Sequence, residues 1–163
     1  MFSGKMKAVT FSYDDGVTQD IRLVEILNRY NLKATFNLNS ELLGKDGSLD
    51  ILGKRILHSK VQPHKITEIY KGHEIATHTL THPDMTEMPA DEVIRQVEQD
   101  RLNLSELSGT EVIGMAYPGR QPNYNSRIAR IIKNGTGVKY ARTTICNKDF
   151  SYQSDLYEFH PSV

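Results

Sequence analysis

KAVTFSYDDGVTQDIRLVEILNRYNLKATFNL, residues 7–38, reads as a strand, a helix and a strand in succession. Lys7–Ser12 is mostly apolar or β-branched, as a buried parallel strand would be. Tyr13-Asp14-Asp15-Gly16 breaks it, and Thr18 or Asp20 is placed to cap a helix. Within that helix Leu23, Val24, Leu27 and Tyr30 make one apolar stripe, and Asn31 ends it. Ala34–Leu38 is the second strand. Strand, helix and strand in so short a span is the signature of a βαβ unit.

The pattern continues outward from this unit. Gly44–His64 is polar and carries Gly44, Gly47, Gly53 and Pro63, which predicts a surface excursion with little regular structure. A short helix over Ile66–Lys71 stops at Gly72, and Glu74–Thr77 forms a strand. Ala90–Leu107 is the clearest helix, with Val93, Ile94, Val97, Leu104 and Leu107 to one side. Glu111–Tyr117 is a strand, Ser126–Lys133 a helix and Val138–Thr143 a further strand. Strands alternating with helices imply a parallel sheet covered by helices, either open or curled into a barrel. In both cases chemistry is expected just past the C-terminal strand ends.

A chain of 163 residues is one domain by length, spanning 1–163. Lys+Arg and Asp+Glu both number 20, so there is no electrostatic footprint for nucleic acid or an anionic membrane. No apolar run reaches the length of a membrane helix. Met1–Lys7 has no apolar core after its charges and does not read as a signal peptide; read as it stands, the chain is cytoplasmic unless such a signal has been removed. Cys146 stands alone, which excludes an internal disulfide and a cysteine-rich metal site, and it is expected as a small packing residue.

Two short motifs carry chemistry. Asp14-Asp15-Gly16 follows the first strand, and His78-Thr79-Leu80-Thr81-His82 follows the strand at Glu74–Thr77. Taken alone, the first reads as a solvated turn and the second as loop polarity. Together they complete a metal set. Two imidazoles four residues apart need a third ligand, and one carboxylate supplies it. The other carboxylate is then free to take a proton from an attacking water. Gly16 lets the chain turn so that both carboxylates point inward.

This combination resembles the polysaccharide deacetylases, carbohydrate esterase family four, with the NodB-homology fold. Phe11-Ser12-Tyr13-Asp14-Asp15-Gly16 is similar to that family's T-F-D-D-G, and His78–His82 fits its H-[ST]-x-x-H. Gly72-His73-Glu74-Ile75 and Ala34-Thr35-Phe36 also look like the family, and the resemblance spans about Lys7–Thr143. It implies a distorted (β/α) barrel and a divalent metal. The activity implied is hydrolysis of an N-acetyl or O-acetyl group on a carbohydrate, acting on a carbon–nitrogen bond other than a peptide in the N-acetyl case. Carried over, Asp14 is the catalytic base and Asp15, His78 and His82 are the metal ligands. Zinc is the first expectation, since two imidazoles and a carboxylate suit a borderline ion; cobalt and nickel accept the same set. The backbone N–H of Gly119 would help hold the oxyanion.

The third motif departs from the family's R-x-P-Y. Here it is Met115-Ala116-Tyr117-Pro118-Gly119-Arg120, with Ala116 at the arginine position. Arg120 or Arg142 could supply that charge from another direction, and Tyr117 either lines the sugar site or packs. His73 is expected to be structural, and His58 and His64 solvated. The family's late L-x-H histidine, its general acid, has no good counterpart, because His160 comes too soon after the third motif. An incomplete barrel, with the acid beyond Val163 and an open edge that invites self-association, is therefore the expectation. A related hydrolase of a small amide or acetyl ester, and a non-catalytic sugar-binding member of the fold, are the competing readings.

Overall fold

The computed structural model describes residues 8–163, so Lys7 and the residues before it lie outside the described residues. In chain order the elements are β1 (Phe11–Asp14), α1 (Asp20–Arg29), β2 (Ala34–Leu38), β3 (Ser48–Ile51), β4 (Lys54–Leu57) and α2 (Ile66–Ile69). There follow β5 (Glu74–Thr77), α3 (Ala90–Ile94), α4 (Asp100–Ser108), β6 (Gly114–Ala116), α5 (Ser126–Gly135) and β7 (Tyr140–Arg142). A π-helical turn over Arg95–Gln99 joins α3 and α4 into one continuous helix.

Five strands form a parallel sheet in the order β1-β2-β5-β6-β7. The register pairs Asp14 with Asn37, Leu38 with Thr77, Thr77 with Met115 and Ala116 with Arg142. The C-terminal ends of all the strands therefore lie along one rim. The sheet curls, because Arg142 of β7 reaches Ser12 and Asp14 of β1, at the opposite edge, with its Nε 3.0 Å from Ser12 Oγ. No strand pairing joins β1 to β7 among the described residues, so the barrel is not closed by backbone bonds. Phe159 runs beside β7, with Thr143 N–H donating to its carbonyl (2.8 Å) and its own N–H to Ala141 (3.0 Å). One of the two sheet edges is thus partly covered.

Helices and sheet enclose two apolar clusters. One gathers Val24, Leu27, Phe36, Leu38, Ile66, Tyr70 and Leu104; the other gathers Met85, Val93, Val97, Met115, Tyr117, Ile128 and Ile132. Non-directional burial of this kind is the main force holding helices to sheet.

Three local expectations are corrected. Gly44–His64 is not irregular: β3 and β4 form an antiparallel hairpin closed by Leu52-Gly53, both in the left-handed region (φ 53 and 74). Neither Thr18 nor Asp20 caps α1. Gln19 holds the cap position without a side-chain capping bond, and Asp20 is buried, accepting from the Tyr70 hydroxyl at 2.7 Å. Cys146 is exposed rather than packed.

Candidate metal centre

Asp14 ends β1, and Asp15 turns out of the strand with φ 80, its N–H bonded to the Asn37 carbonyl at 2.9 Å. Gly16 follows at φ 60, where an added Cβ would sit 2.8 Å from a Leu38 methyl. The histidine loop has the same character: Thr79 and His82 adopt φ 70 and 60. A β-branched residue there is strained, and such strain persists only where the surroundings enforce it.

The surroundings do so through buried polar side chains. Asp100 is fully buried on α4; its Oδ1 accepts from Ser40 N–H (2.6 Å), and its Oδ2 from the Thr77 hydroxyl (2.5 Å) and His78 N–H (3.2 Å). Burial pushes its pKa up to about 6, against the pull of those bonds. Gln96, in the π turn, accepts Leu80 N–H on its backbone carbonyl (3.0 Å) and Thr81 N–H on its side chain (3.2 Å). π turns concentrate at functional sites, and here one presents a helix carbonyl to the loop between the histidines. The Asn39 amide donates to the carbonyls of His78 and Thr79.

Asp15, His78 and His82 each offer one ligand atom, and the three atoms lie within 4.8 Å of one another. Their chemistry suits a divalent cation. Burial works against ionised Asp15, but the Lys60 ammonium, by its charge and its hydrogen bond, outweighs burial and holds the carboxyl below its ordinary value. Burial, aided by His82, lowers the pKa of His78 and keeps it neutral. His78 Nδ1 lies 2.8 Å from the Ala116 carbonyl, which can only accept, so Nδ1 carries the proton and Nε2 keeps its lone pair. His82 stands edge-on to His78 with ring centroids 4.9 Å apart; its Nε2 is 3.8 Å from Asp15 Oδ1 and accepts Gly119 N–H at 3.3 Å.

Asp14 stands beside this set and outside it. Its Oδ1 accepts from Asn37 Nδ2 (2.8 Å) and from the Arg142 guanidinium. Of the two arginines singled out in the sequence, Arg142 meets Asp14, while Arg120 is exposed and makes no ion pair among the described residues. Tyr117 does not line an open site. It is fully buried, stacks on Tyr124 and donates to the Tyr157 carbonyl at 2.8 Å. His73 is held by Ala34 N–H and Asn28, and His160 by the Thr143 hydroxyl at 2.7 Å. His64 is exposed.

His58 corrects the sequence reading. It is not a solvated loop residue, since its Nε2 lies 3.3 Å from Asp15 Oδ2. Lys60, which sequence reasoning passed over, has its Nζ 3.3 Å from Asp15 Oδ1. The spacing His58-x-Lys60 just after a strand was the available signal, since alternate residues share a face.

A curled parallel α/β sheet with this triad on its rim defines a barrel-type protein with a candidate divalent-metal centre. The chain belongs to the polysaccharide deacetylase family, whose model matches residues 3–141. Among curated relatives, a peptidoglycan N-acetylglucosamine deacetylase of Listeria monocytogenes is 22% identical over 151 residues, covering 91% of this chain and 28% of its own length. The chain spans only 15% to 28% of the curated relatives it matches. Among solved structures, deacetylase PplD of Streptococcus pyogenes, in complex with acetate, matches with TM-score 0.69 and 22% identity over 86% of this chain and 57% of that one. A pseudoenzyme of carbohydrate esterase family four from Bacillus anthracis matches with TM-score 0.57 and 18% identity over 82% of this chain and 43% of that one. These likenesses to solved structures concern the fold.

Proposed function

We propose that this chain is a metal-dependent deacetylase that removes acetyl groups, N-acetyl first, from a carbohydrate, with zinc as the first metal to test. The observation that carries the reading is the convergence of Asp15, His78 and His82 within 4.8 Å, with a second carboxylate, Asp14, alongside but outside the set. A divalent cation held there would polarise the acetyl carbonyl and lower the pKa of a water. The chain's own residues do the rest. His78 is anchored through its Nδ1–H on Ala116 and cannot turn away. Asn37 and Arg142 fix Asp14 Oδ1 at the rim, and in this reading the carboxylate takes a proton from the attacking water. Arg142 brings to Asp14, from the far edge of the sheet, the positive charge that Ala116 cannot. Gly119 presents its N–H to the centre from a loop with φ 86 and is the donor proposed for the oxyanion.

The test is a zinc titration of metal-stripped protein beside acetate-release assays on peptidoglycan fragments, chitooligosaccharides and an acetylated xylan ester. Chelator-sensitive release, strongest from an N-acetyl substrate, is expected. Release from the ester alone moves the substrate class. Release indifferent both to chelator and to Asp14→Asn sinks the mechanism. Sugar binding that is the same with and without metal, and no release from any substrate, would make the chain a non-catalytic member of the fold.

A further inference from the structure

The segment leaving the hairpin is laid along the Asp15 turn by backbone bonds. Thr18 N–H donates to the Ser59 carbonyl and Val61 N–H to the Gly16 carbonyl, each at 2.9 Å, while Gln19 Nε2 donates to the Leu57 carbonyl at 2.6 Å. Because alternate side chains of an extended segment share a face, His58 and Lys60 both turn toward Asp15. Lys60 Nζ lies 3.3 Å from Asp15 Oδ1 and 3.2 Å from His58 Nε2, and Lys60 is only 9% exposed. Lysine is seldom buried to this degree without a partner. Asp15 is the only carboxylate paired with it among the described residues. The oxygen it holds, Oδ1, also faces His82 Nε2 at 3.8 Å. Arg142 pairs with Asp14 in the same way. Each carboxylate of the centre thus has its own cation before any metal enters.

We infer that Lys60 is a built-in counter-cation of the metal centre. It neutralises Asp15 in the metal-free protein, is driven off Oδ1 when a divalent cation binds, and so holds metal affinity below what Asp15, His78 and His82 alone would give. This rests on the metal reading above. Like charges a few ångströms apart repel strongly even at the effective dielectric of a protein surface, so the effect should be large enough to read.

The experiment is a competition titration of zinc against a chromophoric chelator, on metal-stripped wild type, Lys60→Met and Lys60→Arg at one pH and ionic strength. Lys60→Met is expected to bind zinc at least about tenfold more tightly, and Lys60→Arg, which keeps the charge, to stay near wild type. Equal or weaker binding by Lys60→Met overturns the inference. A second measurement needs no variant. Reductive methylation followed by mass spectrometry should find Lys60 protected in the metal-free wild type and modified in the zinc-loaded protein. The same modification in both states also overturns it. If wild type binds zinc and these contrasts are absent, only the role of Lys60 falls. If neither wild type nor Lys60→Met binds zinc, the metal reading falls and takes this inference with it.

Discussion

The two sides of the candidate metal centre are built by opposite means. On one side Asp14, His78 and Arg142 sit at or just past strand ends; the buried side chain of Asn37 ties Asp14, that of Asp100 ties His78, and that of Gln96 ties the histidine loop at Thr81. On the other side His58 and Lys60 arrive on a backbone-bonded arm, just past a hairpin whose residues are all exposed. A buried polar network leaves little freedom, because every unmet bond costs free energy. An exposed arm held by its backbone fixes where charge is delivered but constrains side-chain identity weakly. The strand side is therefore suited to geometry and the arm to adjusting charge.

The division can be broken most severely at Asp14. Asp14→Asn should lower acetate release about a hundredfold to ten-thousandfold while zinc affinity changes little. Parallel loss of zinc binding would make Asp14 a ligand and blur the division. Next comes the buried network. Asp100→Ala leaves Ser40 N–H and the Thr77 hydroxyl without their acceptor, while His78 N–H keeps only the Leu38 carbonyl (2.8 Å). A loss of about 3 kcal/mol in denaturant unfolding is expected; a loss under about 1 kcal/mol would mean that the strand side is as tolerant as the arm.

A smaller effect should appear with pH at Asp20, where the arm meets α1. Burial pushes its pKa from 3.8 up to about 6, against the Tyr70 hydrogen bond. The folded state thus holds this proton more tightly than the unfolded one. The stabilisation is full below pH 3.8 and is lost as pH rises through about 6. Asp20→Asn should flatten part of that decline, by a few degrees in Tm across the window; Asp100, also raised, contributes in the same direction. An unchanged profile would leave Asp20 uninvolved. Smallest is the hairpin tip. Leu52 is 98% exposed at φ 53, before Gly53, in the turn geometry that favours Asn-Gly. Leu52→Asn should raise stability by no more than about 0.5 kcal/mol, with zinc binding unaltered. A clear fall in stability would show the tip to be more than a turn.

The same division explains what could be read from sequence. The strand side was legible because its residues sit where the hydrophobic period breaks: Asp14-Asp15-Gly16 after Phe11, His78 after Ala76, Arg142 after Ala141. Arg120, although nearer the third motif in sequence, points to solvent; only the curl of the sheet brings Arg142 across to Asp14. The arm was hidden because neither face of the hairpin is buried, so no alternation marks its strands, and Leu is an uncommon first residue for such a turn. Gln96 and Asp100 were legible in principle. They fall on the inward stripe with Val93, Val97 and Leu104, where a polar residue signals a buried partner.

The π turn over Arg95–Gln99 sets a rotational phase. An α-helix advances about 100° per residue, and a π turn takes up one residue more than a regular turn, so everything after it is turned by about that angle from where regular pitch over the same residues would put it. Val93 and Val97 pack in one apolar cluster and Leu104 in the other, and the offset between them lets a single helix face both. Regular pitch over this turn with no residue removed would swing Asp100 away from Thr77 and His78, whereas removing one residue along with the π turn would keep Asp100 in phase with them. The turn can therefore shed one residue more safely than it can keep its length and tighten to regular pitch.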